Sequence, residues 1–278
     1  MPSLLTRWLL IVALLALPSA ACAGPVADRI YPAPQVKLTL EGLPTGTELL
    51  TVRSSGGIEL QGIYRPATIK DRPLILLLHG NASSAKSAIE WLGLLADQGY
   101  GVLAAEYRGY SGFRGSPSEA GLTDDAAAFL AEGRRLAAGR PIWVIGHSIG
   151  GAVALSLSRR ERLDQLVTIG TFTRLRDMAP KLTRALVPDE YRNAEAVAAL
   201  DEPYALIHGL RDDIAPWQMG QELHKVAVTS KRRGASYILN VAGHQPDAAL
   251  ILAILESLQG PAPLPTAIRA VPFGAVGK

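Results

Sequence analysis

Cysteine is nearly absent: the 278 residues hold one, Cys22. No disulfide can therefore close within the chain, whatever compartment it occupies. Concentrated charge is missing too. Lys and Arg number 28 against 25 Asp and Glu, for a formal net charge of +3, and the basic residues are scattered. The clusters Arg159-Arg160-Glu161-Arg162 and Lys231-Arg232-Arg233 are short, with no aromatics interleaved. That pattern describes solvated faces and excludes a nucleic-acid partner, while leaving room for weak attraction to an anionic membrane surface. No internal repeat is visible. The apolar run near the start, Trp8 to Leu17, is too short to span a bilayer comfortably.

What that run does fit is an export signal over residues 1–23. Arg7 precedes it, and the small residues Pro18-Ser19-Ala20-Ala21-Cys22-Ala23-Gly24 follow at a cleavable spacing. Ala21-Cys22-Ala23 suits an ordinary cut after Ala23. Ser19-Ala20-Ala21-Cys22 also resembles a lipobox, with Ser19 where Leu is usual, so Cys22 is a second candidate as a membrane tether. The expected destination is periplasmic or secreted, with a lipid anchor as the variant. An uncut anchor fits the short run less well.

The remainder is long enough, and at 48% hydrophobic apolar enough, for one sizeable core. Residues 24–46, with four prolines, read as a linker and entry loop. Two alternating segments, 47–53 and 58–64, read as a hairpin. Continuous apolar runs then alternate with helical stretches: strands at 73–78, 100–105, 141–145, 163–169, 203–207 and 236–241, with helices at 85–98, 118–138, 152–158, 216–228 and 245–258. Such alternation predicts βαβ units and a mostly parallel sheet of eight strands with helices on both faces. The domain spans 47–259. Residues 171–202 exceed an ordinary connection and read as a small lid, with apolar Leu175, Met178, Leu182, Leu186 and Val187; an elaborated crossover is the alternative. Residues 260–278 read as a Pro-rich tail along the surface or disordered.

The chemistry centres on Gly146-His147-Ser148-Ile149-Gly150. It lies between the apolar strand Pro141–Ile145 and the small-residue run Ala152–Ser158. That is the context of a nucleophile elbow, where a strained strand-to-helix turn exposes a serine and needs neighbours without bulk. The N–H of Ile149 falls in the helix's first turn, where donors lack intrahelical partners, and is a candidate oxyanion donor. A serine needs a base and a carboxylate to orient that base. Of five histidines, His79 and His147 read as turn residues, His208 ends a strand, and His224 reads as exposed on a helix. His244 opens the loop after the last strand and is the candidate base, with helix capping as its other role. The carboxylate is Asp212 or Asp213, which spacing alone does not separate. The loop after strand 73–78, His79-Gly80-Asn81-Ala82, offers the second oxyanion donor: Asn81 N–H first, Ala82 next. Asp124 and Asp125 read as serving the dipole of the following helix.

Three segments carry a family resemblance: His79-Gly80-Asn81-Ala82; Tyr107-Arg108-Gly109-Tyr110-Ser111 with Gly115-Ser116-Pro117-Ser118-Glu119 and Gly121; and Gly146-His147-Ser148-Ile149-Gly150-Gly151. From about Leu49 to Leu258 the chain resembles an α/β hydrolase, nearest to single-domain serine hydrolases of the depalmitoylase-like branch. The resemblance implies the α/β-hydrolase fold with a small lid. In that family the strand after the lid ends H-G-x-x-D-x-x-V-P; here His208-Gly209 leads to Asp212, so the resemblance favours Asp212. Ser111 replaces a usual glycine and Glu106 a usual aspartate, which bears on substrate choice. The implied activity is hydrolysis of an ester or thioester of a small-molecule or lipid-like acyl substrate, without cofactor or metal. A peptidase or amidase, an acyltransferase, and a non-enzymatic binding protein on the same scaffold are the rival readings.

Overall fold

The computed structural model describes residues 30–179, 181 and 184–274. The expected signal with Cys22, the start of the linker, Leu182 of the lid and the last four residues lie outside the described residues. Among the described residues, no helix is long and apolar enough to cross a membrane.

The strands are β1 (Glu48–Arg53), β2 (Glu59–Arg65), β3 (Leu74–Leu78), β4 (Gly101–Ala105), β5 (Ile142–His147), β6 (Gln165–Ile169), β7 (Tyr204–Gly209), β8 (Gly234–Leu239) and β9 (Ile268–Pro272). They form one sheet in the order β1-β2-β4-β3-β5-β6-β7-β8-β9. Pairing is parallel from β4 through β8 and antiparallel at both margins. The sheet thus has nine strands, not eight. The ninth comes from the expected tail: three prolines end by Pro265, and Ile268–Val271 then offer N–H groups for the ladder with β8. Phe273 is buried just beyond and stacks on Tyr204 at 5.6 Å. A proline-rich approach to an edge strand is the position prolines tolerate best.

Apolar residues along each central strand alternate between two cores. Leu74, Leu76 and Leu78 of β3 join one, against α3 (Glu119–Ala137) and α4 (Ile149–Ser158). Ile75 and Leu77 join the other, against α1 (Ala85–Trp91), α2 (Gly93–Asp97) and α8 (Ala248–Gln259). Burial on both faces is why these strands read as unbroken apolar runs. The expected helix 85–98 is broken at Leu92, whose φ/ψ leave the helical region. Among the described residues, the 171–202 excursion holds only short elements, α5 (Leu175–Met178), a 3-10 turn at Arg184–Leu186 and α6 (Asn193–Ala198). Helix α7 (Trp217–Thr229) completes the set.

β3 sits between β4 and β5, so the winding reverses there. Loops leaving the carboxyl ends of β3 and β5 diverge to opposite faces and open a crevice between them, where open α/β sheets bind ligands. The linker is partly packed over this edge. Tyr31 and Leu38 are buried, and the Tyr31 hydroxyl donates to Asp189 at 2.6 Å.

Candidate active site

The β5–α4 turn is tight because two glycines permit it. A Cβ at Gly146 would strike the backbone of Gly150, and one at Gly150 would strike the carbonyls of Leu78 and His79. Between them Ser148 is held at φ 54°, ψ −117°, a region L-residues avoid. Its N–H donates to the carbonyl of Ile169 at 2.8 Å, which pins the turn to β6. The Ser148 hydroxyl has no hydrogen-bond partner among the described residues. In unliganded enzymes such bonds are often long and tighten only with substrate.

His244 and Asp212 come from the loops after β8 and β7 and meet. Nδ1 of His244 lies 2.9 Å from Oδ2 and 3.0 Å from Oδ1 of Asp212. A carboxylate only accepts, so Nδ1 donates, and Nε2 is left without a protein partner among the described residues. Asp212 is buried, while Asp213 is exposed. Burial works to raise the Asp212 pKa, but the hydrogen bond and charge of His244, with the Ala215 N–H at 2.8 Å, outweigh it and hold it below the usual carboxylate range. Gly170, next to Ile169, lies against both partners: a Cβ there would sit 3.1 Å from Oδ2 of Asp212 and from Nδ1 of His244.

The two loops expected to supply oxyanion donors flank the same crevice. The N–H groups of Asn81, Ala82 and Ile149 have no protein partner among the described residues. Ala82 takes φ 53°. The Asn81 side chain is fixed at both ends, its amide donating to the carbonyl of Ile30 at 2.6 Å and its oxygen accepting from Tyr110 at 2.9 Å. A cavity of about 370 Å³ opens here, lined by Gly80, Asn81, Trp91, His147, His244 and Gln245 among others. A larger open groove of about 740 Å³ lies beside the first hairpin and touches none of these residues. Among the described residues, no group of three His, Cys, Asp or Glu is placed to hold a metal ion.

Four side chains that read as ordinary in the sequence have places here. His147 is no plain turn residue: its Nε2–H donates to the carbonyl of His244 at 2.9 Å and its ring packs on that of His244 at 4.7 Å. His208 lies buried under Asp212, with Nε2 donating to the carbonyl of Ala215 at 2.8 Å. Trp91 donates to the carbonyl of Pro246 at 2.8 Å. Asp125 does more than serve a dipole. It is fully buried nearly two turns into α3, beyond the dipole's reach, where it pairs with Arg108 at 2.7 Å and accepts from Ser54. His224, expected to be exposed, is half-buried against Ser236 and Phe273.

Comparison with known proteins agrees with this architecture. The matching family model is described as serine aminopeptidase, S33, and covers residues 69–192, which include the Asn81 loop and the Ser148 elbow. The structure of the Pyrococcus furiosus esterase superposes with a TM-score of 0.61 at 20% identity, over 82% of this chain and 92% of that one. An uncharacterised protein of Mycobacterium tuberculosis is 34% identical over 198 residues, 68% of this chain and 70% of that protein. The chain belongs to the α/β-hydrolase superfamily. The lysophosphatidylserine lipase ABHD12 of Danio rerio is 29% identical to this α/β hydrolase over 206 residues, 61% of the chain and 54% of the lipase. The hydrolase therefore spans about half the length of that relative.

Proposed function

We propose that the protein is an exported serine hydrolase that cleaves carboxylic esters or thioesters through an acyl-enzyme on Ser148. The observation that carries this reading is the His244–Asp212 pair at 2.9 Å, with the second imidazole nitrogen free of any protein partner among the described residues, near a serine held at φ 54°. His244 Nε2 takes the hydroxyl proton as Oγ of Ser148 bonds to the acyl carbon. The carbonyl oxygen becomes an oxyanion and accepts from the N–H groups of Asn81 and Ile149. When the tetrahedral species collapses, the C–O or C–S bond breaks and the leaving group takes the proton from His244. Water then repeats the sequence, releasing the carboxylic acid and restoring Ser148. Asp212 keeps His244 in the productive tautomer and stabilises its imidazolium. Each oxyanion donor of this kind contributes about 3–4 kcal/mol to the barrier reduction.

A lysophospholipid or similar lipid-like acyl ester is the substrate class that the lipase relative favours. Membership of the depalmitoylase-like branch, and with it activity on thioesters, is part of the same reading, as are a small lid over residues 171–202 and cleavage or lipidation near Cys22. The peptidase reading draws on the description of the family model. A screen of nitrophenyl esters of graded chain length, acyl thioesters and peptide anilides, with Ser148→Ala as the blank, decides between them. Ester or thioester turnover that vanishes in the blank is expected. Turnover of anilides alone, or failure of a fluorophosphonate to label Ser148 in the folded protein, would overturn the proposal.

A further inference from the structure

Beneath the Asn81 loop lies a second buried histidine–carboxylate pair, which the scheme above does not use. His79 and Glu106 are 2% and 0% exposed. Nε2 of His79 stands 2.6 Å from Oε1 of Glu106, and Nδ1 stands 2.8 Å from the carbonyl oxygen of Gly80. A carbonyl only accepts, so Nδ1 carries a proton. Glu106 also accepts from the N–H groups of Ala85 and Tyr107, each at 3.1 Å, and from the Ser111 hydroxyl at 2.7 Å. A carboxyl ringed by donors is held ionised. Burial pushes its pKa up, but His79 and these donors bring the net direction below the usual range. A carboxylate accepts, so Nε2 carries a proton as well.

The two departures from the family pattern meet at this point. Ser111, at φ 50° where glycine is usual, offsets its backbone strain by donating to Glu106. The rings of Tyr107 and Tyr110 pack on His79 at 4.4 and 5.2 Å, as aromatic rings do around a cation. His147, on the elbow, is the other titratable group facing His79, and burial keeps it neutral with a pKa of about 4.

The geometry has a direct consequence for the oxyanion site. The carbonyl of Gly80 and the N–H of Asn81 belong to one peptide group, and no peptide bond described here is cis. In a planar trans peptide these two groups point in opposite directions. A cationic donor on the carbonyl therefore fixes the direction of the Asn81 N–H and polarises it toward a stronger donor. We propose that His79, held as an imidazolium by Glu106 and Ser111, is a positioning residue that aims and strengthens the Asn81 N–H. The catalytic half of this inference rests on the acyl-transfer reading; the protonation half does not.

Nitrogen-15 NMR of histidine-labelled protein at pH 7.5 tests the protonation half on the unmodified chain, with His79 assigned by elimination against single substitutions of the other four histidines. Both ring nitrogens of His79 are expected to show one-bond coupling to a proton. One unprotonated nitrogen would overturn the imidazolium. Steady-state kinetics of Glu106→Gln and Glu106→Asp test the positioning half, with a melting curve for each. In E106Q, kcat is expected to fall about ten- to a hundredfold with KM within threefold, the cost of loosening a reacting group's geometry, and E106D is expected to recover most of it. A folded E106Q with unchanged kcat would overturn positioning. If E106Q does not fold, Ser111→Ala takes its place: a fall in kcat of threefold or more at constant KM supports the role, and no change overturns it. Should the wild type neither hydrolyse esters nor react with a fluorophosphonate, the acyl-transfer reading fails while the NMR result still stands or falls by itself.

Discussion

Two imidazole–carboxylate pairs sit within one crevice of this sheet, and they differ in one respect that decides their work. Asp212 and Glu106 are alike: both side chains are wholly buried, both accept backbone N–H groups, and both face a ring nitrogen at hydrogen-bond distance. The contrast is at the other ring nitrogen. Nδ1 of His79 is capped by the carbonyl of Gly80, and the ring is sealed from solvent. Nε2 of His244 has no protein partner among the described residues, and its side chain is 16% exposed, against 1% for His79. A capped nitrogen can hold a proton but cannot exchange one with a substrate. An open one can do both. In the proposed scheme the same residue types serve as a fixed charge in one place and as a proton carrier in the other.

The sharpest way to break this contrast is to remove the negative charge of the open pair. Asp212→Asn leaves the shape but invites the wrong tautomer of His244, and kcat is expected to fall on the order of 10³–10⁴-fold. Asp213→Asn, one residue away and exposed, is expected to stay within twofold. Ester kinetics on both variants settle the matter. Equal losses at the two positions would mean that the carboxylate is not the one hydrogen-bonded to His244.

A third buried carboxylate sets a scale for charge that does no chemistry. Asp125 pairs with the Arg108 guanidinium through three contacts of 2.7–3.1 Å and also accepts the Arg108 backbone N–H at 2.9 Å. Asp125→Ala leaves the largely buried Arg108 cation without a carboxylate, with only the Ser54 and Ser55 hydroxyls to donate to, so chemical denaturation is expected to show a loss of about 3–5 kcal/mol. The kcat of the folded fraction is expected to change less than threefold. A large kcat loss without loss of stability would place Asp125 in the reaction instead.

Asp125 also marks what the sequence did and did not disclose. Its position near a helix start was legible; its partner, 17 residues back in a glycine-rich loop, was not, because a periodic pattern carries no information about which polar groups a loop will reach. The central strands were legible because burial on both faces writes them as unbroken apolar runs. The elbow was legible because its geometry admits few residue types. β9 was hidden: five residues after a run of prolines carry no alternation, and only pairing with β8 makes them a strand. Glu106 and Ser111 were visible as departures, yet their mutual contact needed the fold. His79 and His147 looked like turn residues because both follow strands and precede small residues, while their function lies in which carbonyl each ring reaches.

His147 gives the mildest test, and it bears on the open pair alone. Its ring is tucked between Trp91 at 5.0 Å and His244 at 4.7 Å, and its Nε2–H holds the carbonyl of the base. Burial, with the neighbouring His244 adding to it, lowers its pKa to about 4. In the unfolded chain the same imidazole titrates near about 6.5. Between those two values the unfolded state binds the extra proton and the folded state does not. Stability from this residue is therefore complete above pH 6.5 and is lost as the pH falls toward 4. Asp212 and Glu106, whose folded values are also lowered, lose their contributions from the ordinary carboxylate range downward, and His208 and His224, lowered by burial, act in the same window, so only the difference from a His147 variant isolates His147. His147→Gln keeps an N–H donor but cannot titrate. Its melting temperature is expected to fall less than that of the wild type between pH 6.5 and 4, closing a gap of about 2 kcal/mol once contact with the cavity is allowed for. Parallel melting curves for the two proteins across that window would show that burial does not shift the titration of His147.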